Sequence, residues 1–234
     1  LVAHDYLIPD PEPEYGYNFI ISDYNWQEIS DIGENLYLVD DSIIRDIDLG
    51  FNFKYYGETF NKLTVCSNGW VSFLPCLNDE RGETEFAPLP YFFNNSITNP
   101  LGSYGMIAPF FDDLDDNGGT ESFDVYFWTN GVDSVIVEWN NVANGQTDEN
   151  CPDCVKETFQ LILDGGDISG SGDGTIIFQY KEIHDIDDHG CTIGIESPSK
   201  NEGVEYLFNY HFADGASGLT NGLAIKFFCT ETNM

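Results

Sequence analysis

The segment from Gly50 to Phe73 constrains the fold most strongly, because its apolar and aromatic side chains alternate with polar ones. A period of two, rich in aromatic and β-branched residues, is typical of β-strands that bury one face. Two turns interrupt the alternation, one at Tyr56-Gly57 and one at Ser67-Asn68-Gly69, where asparagine and glycine accept a positive φ at low cost. The segment therefore predicts three consecutive antiparallel strands with an aromatic core.

The same short-strand pattern continues along the rest of the chain. Met106 to Phe111 is a continuous apolar run, which is typical of a buried central strand. An Asn130-Gly131 turn joins two alternating segments, residues 123–128 and 132–139, into a predicted hairpin. Further short strands are predicted over residues 17–29, around 36–38 and over 43–49 with a polar turn at 40–42 between them, and over 158–163, 175–180, 191–196, 204–210 and 223–228. Because no stretch combines helix caps with a helical period, the sequence predicts an all-β fold, a two-sheet antiparallel sandwich that is jelly-roll-like.

Two regions differ in composition. Residues 1–16 contain three prolines and alternating acids, which predicts a linker or an interaction arm rather than core. Residues 17–234 are then expected to form a single β-sandwich domain, a length that such sandwiches reach as one unit. The sequence has no signal peptide, no initial Met, and no apolar run near the roughly 20 residues of a membrane helix. We therefore expect a mature or excised fragment.

The charge of the chain excludes two classes of partner. There are 41 acidic residues against 8 basic ones, which gives a formal net charge of −33. Such a surface repels nucleic acid and anionic membranes, so neither is expected to bind. A solvated acidic shell that keeps a secreted protein soluble is one explanation of this charge, and clustered carboxylates that bind divalent cations are another. The two explanations are compatible.

Two strings in the first segment carry a family resemblance: Gly50-Phe51-x-Phe53-x-x-Tyr56-Gly57 and Val65-x-Ser67-Asn68-Gly69-Trp70-x-Ser72-Phe73. They resemble a β-sandwich domain of large bacterial surface and secreted proteins, which often accompanies secreted peptidases or sorting modules. The resemblance spans roughly residues 17–228 and extends, more distantly, to the nidogen-type (NIDO) adhesion domains of animal proteins. Later strings fit the bacterial pattern in order: Tyr24-x-Trp26-x-x-Ile29-Ser30, residues 106–114, 137–142, 158–160, 177–180, and Thr192-x-Gly194-Ile195-Glu196.

The resemblance implies an extracellular or cell-surface location and no catalytic residues. We expect a non-catalytic module of a bacterial surface or secreted protein that acts in adhesion or surface assembly. Its expected partners are a surface protein, a glycan, or copies of itself bound through the N-terminal arm. A carbohydrate-binding module and an accessory domain of a secreted hydrolase are the alternatives. An aromatic row on one open face would favour the first alternative, and a cleft with two close carboxylates in unlike environments would favour the second.

The residues themselves give no signature of catalysis. No glycine-flanked nucleophile elbow occurs, and the four histidines stand in no recognisable catalytic arrangement. With 41 acids, chance pairs of carboxylates are unavoidable, so a pair in the sequence carries little information. The four tryptophans, Trp26, Trp70, Trp128 and Trp139, are candidate sugar platforms, but Trp70 and Trp139 lie in the family-like strings, where burial is the usual role. We therefore expect core tryptophans and no enzyme.

The strongest local site signal is the acidic segment that follows the buried run. Asp113, Asp115 and Asn117 supply side-chain oxygens, Gly119 a backbone carbonyl, and Asp124 a final acid, at the spacing of a calcium loop of about 12 residues. Gly118 would permit the sharp turn of such a loop. The final acid is Asp instead of the usual Glu, and no helices flank the loop, so an acidic turn at a strand end is the alternative. The sequence predicts a Ca²⁺ site here.

Two other acidic groups are weaker candidates, for which solvated loops are favoured. The first is the set Asp164, Asp167 and Asp173 in a glycine-rich link. The second is the set Asp185, Asp187 and Asp188 with the histidines His184 and His189. The two histidines are five residues apart on a predicted loop, and this spacing fixes no metal geometry.

The six cysteines are an even number, which together with the extracellular resemblance predicts disulfides. Six cysteines allow fifteen pairings, and local pairing suggests Cys66 with Cys76, Cys151 with Cys154, and Cys191 with Cys229. The Cys151-Pro152-Asp153-Cys154 run lacks the helix N-terminus of a redox motif and the second ligand pair of a zinc site. A loop staple is therefore favoured there.

Overall fold

The structure is a computed structural model that describes residues 16–73, 94–98, 105–115, 123–144, 155–184 and 190–230. Within these ranges the chain forms strands and turns without a helix, so no described helix could span a membrane. The strands are β1 (Gly16–Ile21), β2 (Glu34–Asn35), β3 (Ile43–Tyr55), β4 (Glu58–Cys66), β5 (Trp70–Ser72), β6 (Met106–Phe111), β7 (Leu114–Asp115), β8 (Asp124–Thr129), β9 (Ser134–Asn144), β10 (Val155–Ile168), β11 (Gly174–Glu182), β12 (Thr192–Glu196), β13 (Gly203–Phe208), β14 (His211–Phe212) and β15 (Ala224–Thr230).

These strands form two antiparallel sheets. The large sheet has the strand order β1-β15-β11-β10-β9-β8-β2, with β7 paired to β9. The small sheet has the order β14-β13-β12-β6-β5-β4-β3. Neither order closes on itself, so the predicted two-sheet antiparallel sandwich is confirmed.

An aromatic core lies between the two sheets. Phe53 from the small sheet and Trp139, Phe159 and Phe178 from the large sheet are completely buried. The Trp139 and Phe159 rings stack with centroids 5.0 Å apart, and Phe110 of β6 lies 5.3 Å from Phe159, which joins the sheets across the sandwich. Pairs at such distances add stabilisation beyond the area that they bury.

The alternating segment from Gly50 to Phe73 forms the predicted strands. β3, β4 and β5 pair consecutively and antiparallel, and the glycines of both intervening turns have positive φ, 78° at Gly57 and 75° at Gly69. All six side chains of β6 are buried, as its apolar run predicts. The hairpin of β8 and β9 also forms, with φ at 69° for Gly131. Period and turn chemistry therefore predict these elements correctly.

The predicted strand over residues 17–29 is wrong in its second half. β1 ends at Ile21, and residues 22–33 leave the sheet and cross the outer face of the large sheet; we call them the covering loop. The Ser22 amide still binds the Ala224 carbonyl of β15, but Asn25 then binds the Gln179 side chain of β11. Side chains of the sheet, not a neighbouring strand, take up the backbone groups of this segment, which is why its alternation does not produce a strand.

Candidate functional site

The turn between β4 and β5 is buried although it is polar. Ser67 and Asn68 are completely inaccessible to solvent. A Cβ on Gly69 would lie 1.8 Å from the carbonyl oxygen of Phe110, and φ at this glycine is +75°. Only glycine fits a position with so close a backbone neighbour. The turn is therefore packed tightly against β6.

Asn68 connects two loops through both ends of its amide. Its Nδ2 donates to Asp41 Oδ1 at 2.9 Å, and its Oδ1 accepts the Leu114 N–H at 3.0 Å. The adjacent Ser67 donates its backbone N–H to the Ser42 carbonyl, and its Oγ accepts the Ser42 N–H. We call this set of bonds the Asn68 network. It fixes the approach to β3 and the segment after β6 to one buried turn.

The tryptophans of the family-like strings lie close to the same buried turn between β4 and β5. Trp70 and Trp139 are fully buried, as predicted. The Trp139 Nε1 donates to the carbonyls of Cys66 and Ser67, at 3.1 and 3.2 Å. These residues therefore hold the sandwich together and present no surface to a ligand.

Acidic side chains gather beside the Asn68 network. Asp112 is buried, and its Oδ1 accepts the Asp113 N–H at 3.0 Å. Burial first, and then the charges of Asp41 and Asp115, raise the pKa of Asp113. Like charges therefore already interact at this end of the sandwich.

The predicted calcium ligands are only partly within the described residues. Asp113 and Asp115 lie at the end of the sandwich beside the Asn68 network, and Asp115 lies in β7 opposite Ala143. Asp124 begins β8, and its carboxylate accepts a hydrogen bond from the Asn35 amide at 2.9 Å. The described parts of the chain bring no three acidic, histidine or cysteine side chains together at metal-binding geometry. Asn117 and Gly119 lie outside the described residues, so the calcium site stays a prediction.

The aspartates of the glycine-rich link have protein partners. Asp173 is buried, and its carboxylate accepts the Gly57 N–H at 2.8 Å. Asp164 accepts the N–H groups of Gly166 and Asp167 in a turn, both at 2.9 Å. Asp167 forms an ion pair with Lys226. Each of these carboxylates thus supports local structure.

The second histidine of the other candidate group, His189, and residues 185–188 lie outside the described residues. The His184 ring lies between two carboxylates, with Nδ1 3.8 Å from Glu157 and Nε2 3.7 Å from Glu182. Its Nδ1 is also 2.9 Å from the Lys156 carbonyl. Acidic neighbours of this kind surround the ring with acceptors.

A buried carboxyl that the sequence analysis missed lies under the covering loop. Glu138 of β9 is 0% exposed. Its Oε2 accepts the Ile29 N–H of the covering loop at 3.3 Å, whereas its Oε1 has no hydrogen-bond partner among the described residues. A buried carboxylate with so few donors is costly, which favours the neutral acid.

Glu28 of the covering loop lies beside Glu138 in a different environment. It accepts hydrogen bonds from Lys181 Nζ at 2.7 Å, Ser30 Oγ at 2.6 Å and Trp26 Nε1 at 3.2 Å. Burial alone would raise the pKa of Glu28, but these bonds lower it to about 2. Burial first, and then the charge of Glu28, raise the pKa of Glu138 to about 8. The two adjacent carboxyls are therefore held in opposite protonation states.

A polar row across three strands holds the covering loop from below. Glu138 is in register with Gln160, and Gln160 with Gln179. Gln160 Nε2 donates to the Gln27 carbonyl at 3.2 Å, and Gln179 accepts the Asn25 N–H at 2.6 Å. Glu138, Gln160 and Gln179 all lie in strings that carry the family resemblance, and this was the only sign in the sequence that they matter. Only the strand register shows that they form one row.

The aromatic side chains of the covering loop are held by neighbours. The Tyr24 and Trp26 ring centroids are 6.4 Å apart with an interplanar angle of 26°. Lys181 Nζ lies 5.3 Å from the centre of the Trp26 ring, within cation–π distance. Trp26 and Trp128 are partly exposed, unlike the two core tryptophans. The aromatic side chains of the covering loop are thus already in contact with neighbours on one side.

The cysteines divide between described and undescribed parts of the chain. Cys66 and Cys229 are buried free thiols, and burial raises the pKa of both. Cys191 is also buried, and no disulfide joins it to Cys229 within the described residues, so the structure does not form the suggested Cys191–Cys229 bond. The other suggested partners, Cys76, Cys151 and Cys154, lie outside the described residues.

Comparison with known proteins identifies a family. A family model described as NIDO related matches residues 16–221, which is most of the chain. No curated protein and no solved structure matches the sequence.

Proposed function

The chain belongs to the NIDO-related family, and from that membership we propose that it is an extracellular, non-catalytic adhesion-type module of a bacterial surface or secreted protein. The observation that carries the proposal is the match over residues 16–221, because it includes every described strand of both sheets except β15 and is not confined to a short motif. Its action is adhesion or surface assembly.

The placement of the family-like residues supports a non-catalytic role. Asn68, Gly69, Trp70 and Trp139 are buried and bind other parts of the sandwich. A set of residues that is used for architecture leaves binding to the variable surface loops. The shared feature of the domain is then a rigid support.

The unlike carboxyls Glu28 and Glu138 do not favour a hydrolase. Glycosidase carboxyls flank an open space that admits the scissile bond. Glu138 is instead 0% exposed and lies beneath Ile29, while Glu28 is engaged by Lys181. A substrate has no access to both carboxyls while the covering loop is in place.

The net charge of −33 supports a partner that is neutral, basic or calcium-bridged. The proposed partners are a surface protein, a glycan, or another copy engaged through residues 1–16. That arm leads into β1, the end strand of the large sheet. End strands are the positions at which a further strand adds to a sheet.

Calcium is part of the proposal. Asp113 and Asp115 lie beside Asp41, and burial with these like charges raises the pKa of Asp113. A bound cation would relieve this repulsion, and Ca²⁺ prefers carboxylate oxygens in flexible loops. Asn117, Gly119 and Asp124 complete the proposed ligand set.

Coated beads test the proposal. Beads that carry the domain should cluster with each other, or adhere to surfaces coated with basic matrix proteins, in millimolar calcium and should separate on chelation. Binding of soluble glycans without clustering would replace the proposal by the carbohydrate-binding alternative. Turnover of peptide or glycoside substrates by the purified domain, lost on Glu138→Gln, would replace it by the hydrolase alternative.

A further inference from the structure

Glu138 connects the covering loop to the large sheet, and its contact with the loop residue Glu28 depends on whether the Glu138 carboxyl is protonated. The Ile29 N–H binds only one oxygen of the carboxyl, and Oε1 has no partner among the described residues. The neighbouring acceptor is the carboxylate of Glu28, which lies within hydrogen-bonding reach. A proton on the Glu138 carboxyl turns this contact into a donor–acceptor pair, and removal of the proton leaves two carboxylates in contact.

Charged and titratable groups face Glu138 from each element packed on it. The covering loop contributes Glu28 and Tyr24, β11 contributes Lys181, and β8 contributes Tyr126. Lys181 is the only cation in this set, and its hydrogen bond goes to Glu28. Burial first, and then the Glu28 charge, raise the pKa of Glu138 to about 8. Both tyrosines have their pKa raised from 10, mainly by burial, so they are neutral wherever Glu138 titrates.

We propose that Glu138 is a pH-sensitive switch that holds the covering loop, residues 22–33, on the large sheet while protonated and releases it in mildly alkaline solution. The released state uncovers Ile136 and Ile162, on which Ile29 packs in the closed state. This device is independent of the proposed function, since it concerns the attachment of one loop to its own sheet.

Hydrogen exchange across a pH series tests the proposal on the whole chain. Once rates are corrected for their intrinsic pH dependence, exchange of the Asn25 and Ile29 amides should accelerate by up to about tenfold for each pH unit between about pH 4.5 and the Glu138 midpoint, and should level off above that midpoint. The Ile107 amide of β6 should keep its protection, which separates loop release from global unfolding. Glu138→Gln should keep the loop protected at all these pH values, because the amide donates to Glu28 without titrating.

Glu157→Gln is the matched control, since Glu157 is equally buried in the large sheet and binds His184 instead of the covering loop. It should retain the wild-type pH profile of the loop. Should Glu138→Gln not fold, a ¹³C carboxyl titration of the wild-type protein decides the question. An increase in loop exchange that levels off at the Glu138 midpoint supports the switch. A Glu138 midpoint near the ordinary value of about 4.5, or loop protection that is constant over the pH units below the Glu138 midpoint, overturns it.

Discussion

Two buried polar sites in this sandwich differ in how completely their atoms are paired. In the Asn68 network, both ends of the amide are bonded, to Asp41 and to Leu114. At Glu138, one oxygen receives a single hydrogen bond and the other receives none among the described residues. Both side chains are 0% exposed, so burial alone does not explain the difference.

The comparison shows that hydrogen-bond pairing determines how a buried polar group contributes to stability and whether that contribution depends on pH. A fully bonded neutral amide costs little and fixes the segments that it joins. An under-bonded carboxyl takes up a proton, so its contribution depends on pH. The first site is therefore permanent architecture, and the second responds to solution conditions.

The largest expected loss of stability comes from disrupting the Asn68 network at Gly69, the glycine of its turn. Gly69→Ala would place a Cβ 1.8 Å from the Phe110 oxygen at a positive φ, and should cost about 4 kcal/mol of unfolding free energy or prevent folding. Gly131→Ala is the matched control, because φ is +69° there and nothing lies within 4 Å of the added Cβ. It should cost only about 1 kcal/mol. Equal urea midpoints for the two variants would contradict the tight packing of the turn.

A charge introduced into the network should have the next largest effect. Asn68→Asp keeps the acceptor for the Leu114 N–H but replaces the donor to Asp41 by a carboxylate. We expect a loss of about 3 kcal/mol at neutral pH, from repulsion and a lost bond. Part of it should return near pH 4, where a shared proton restores a donor. Urea unfolding at both pH values measures this, and an equal loss at each would show that repulsion is not the cause.

Calcium should stabilise the protein through the acidic segment at Asp113 and Asp115, without acting on Asn68 or Glu138. Selective binding to the folded state adds about 2.7 kcal/mol at a hundredfold excess over Kd, so millimolar calcium should raise Tm and magnesium should raise it less. Asp113→Asn with Asp115→Asn should abolish the increment. Glu34→Gln with Glu58→Gln removes equal charge elsewhere and should preserve it. If both double variants keep equal shifts with either cation, the effect is diffuse screening.

The smallest expected effect is the pH dependence at Glu138. Its raised pKa, about 8 against 4.5, gives stability that is fully present below about pH 4.5 and is lost as pH rises through about 8. Glu28, lowered to about 2, adds stability above about pH 4.5 that is lost as pH falls through about 2. The unfolding free energy should thus decline by roughly 2 kcal/mol between about pH 5 and 9, after screening around the partly exposed Glu28, and Tm should decline with it.

Glu138→Gln should remove most of that alkaline decline, whereas Asn68→Ala should lower Tm by a similar amount at every pH. Thermal unfolding over the same pH series compares the two. A decline of full size in Glu138→Gln would assign the pH dependence to the general acidic surface instead.

Much of the strand content could be predicted from local pattern, and the acidic site only in part. The continuous run of β6 and the Asn-Gly hairpin of β8 and β9 form as expected, since period and turn propensity act over a few residues. The alternation around Tyr24 and Trp26 predicted a strand that does not form, because this segment lies on the face of the large sheet and does not pair within it. Asp113 and Asp115 do lie together, while Asp124 binds Asn35.

The sequence by itself determined the all-β class, the aromatic core and the turns at Gly57, Gly69 and Gly131, because backbone sterics and side-chain alternation are local properties. Only the tertiary structure decided the order of the strands and the partners of the buried polar groups. Asn68 bonds to residues 27 and 46 positions away, and Glu138 to one 109 positions away. Which faces meet over such separations depends on the packing of the whole sandwich. That packing also excludes the water that would otherwise keep Glu138 an ordinary acid.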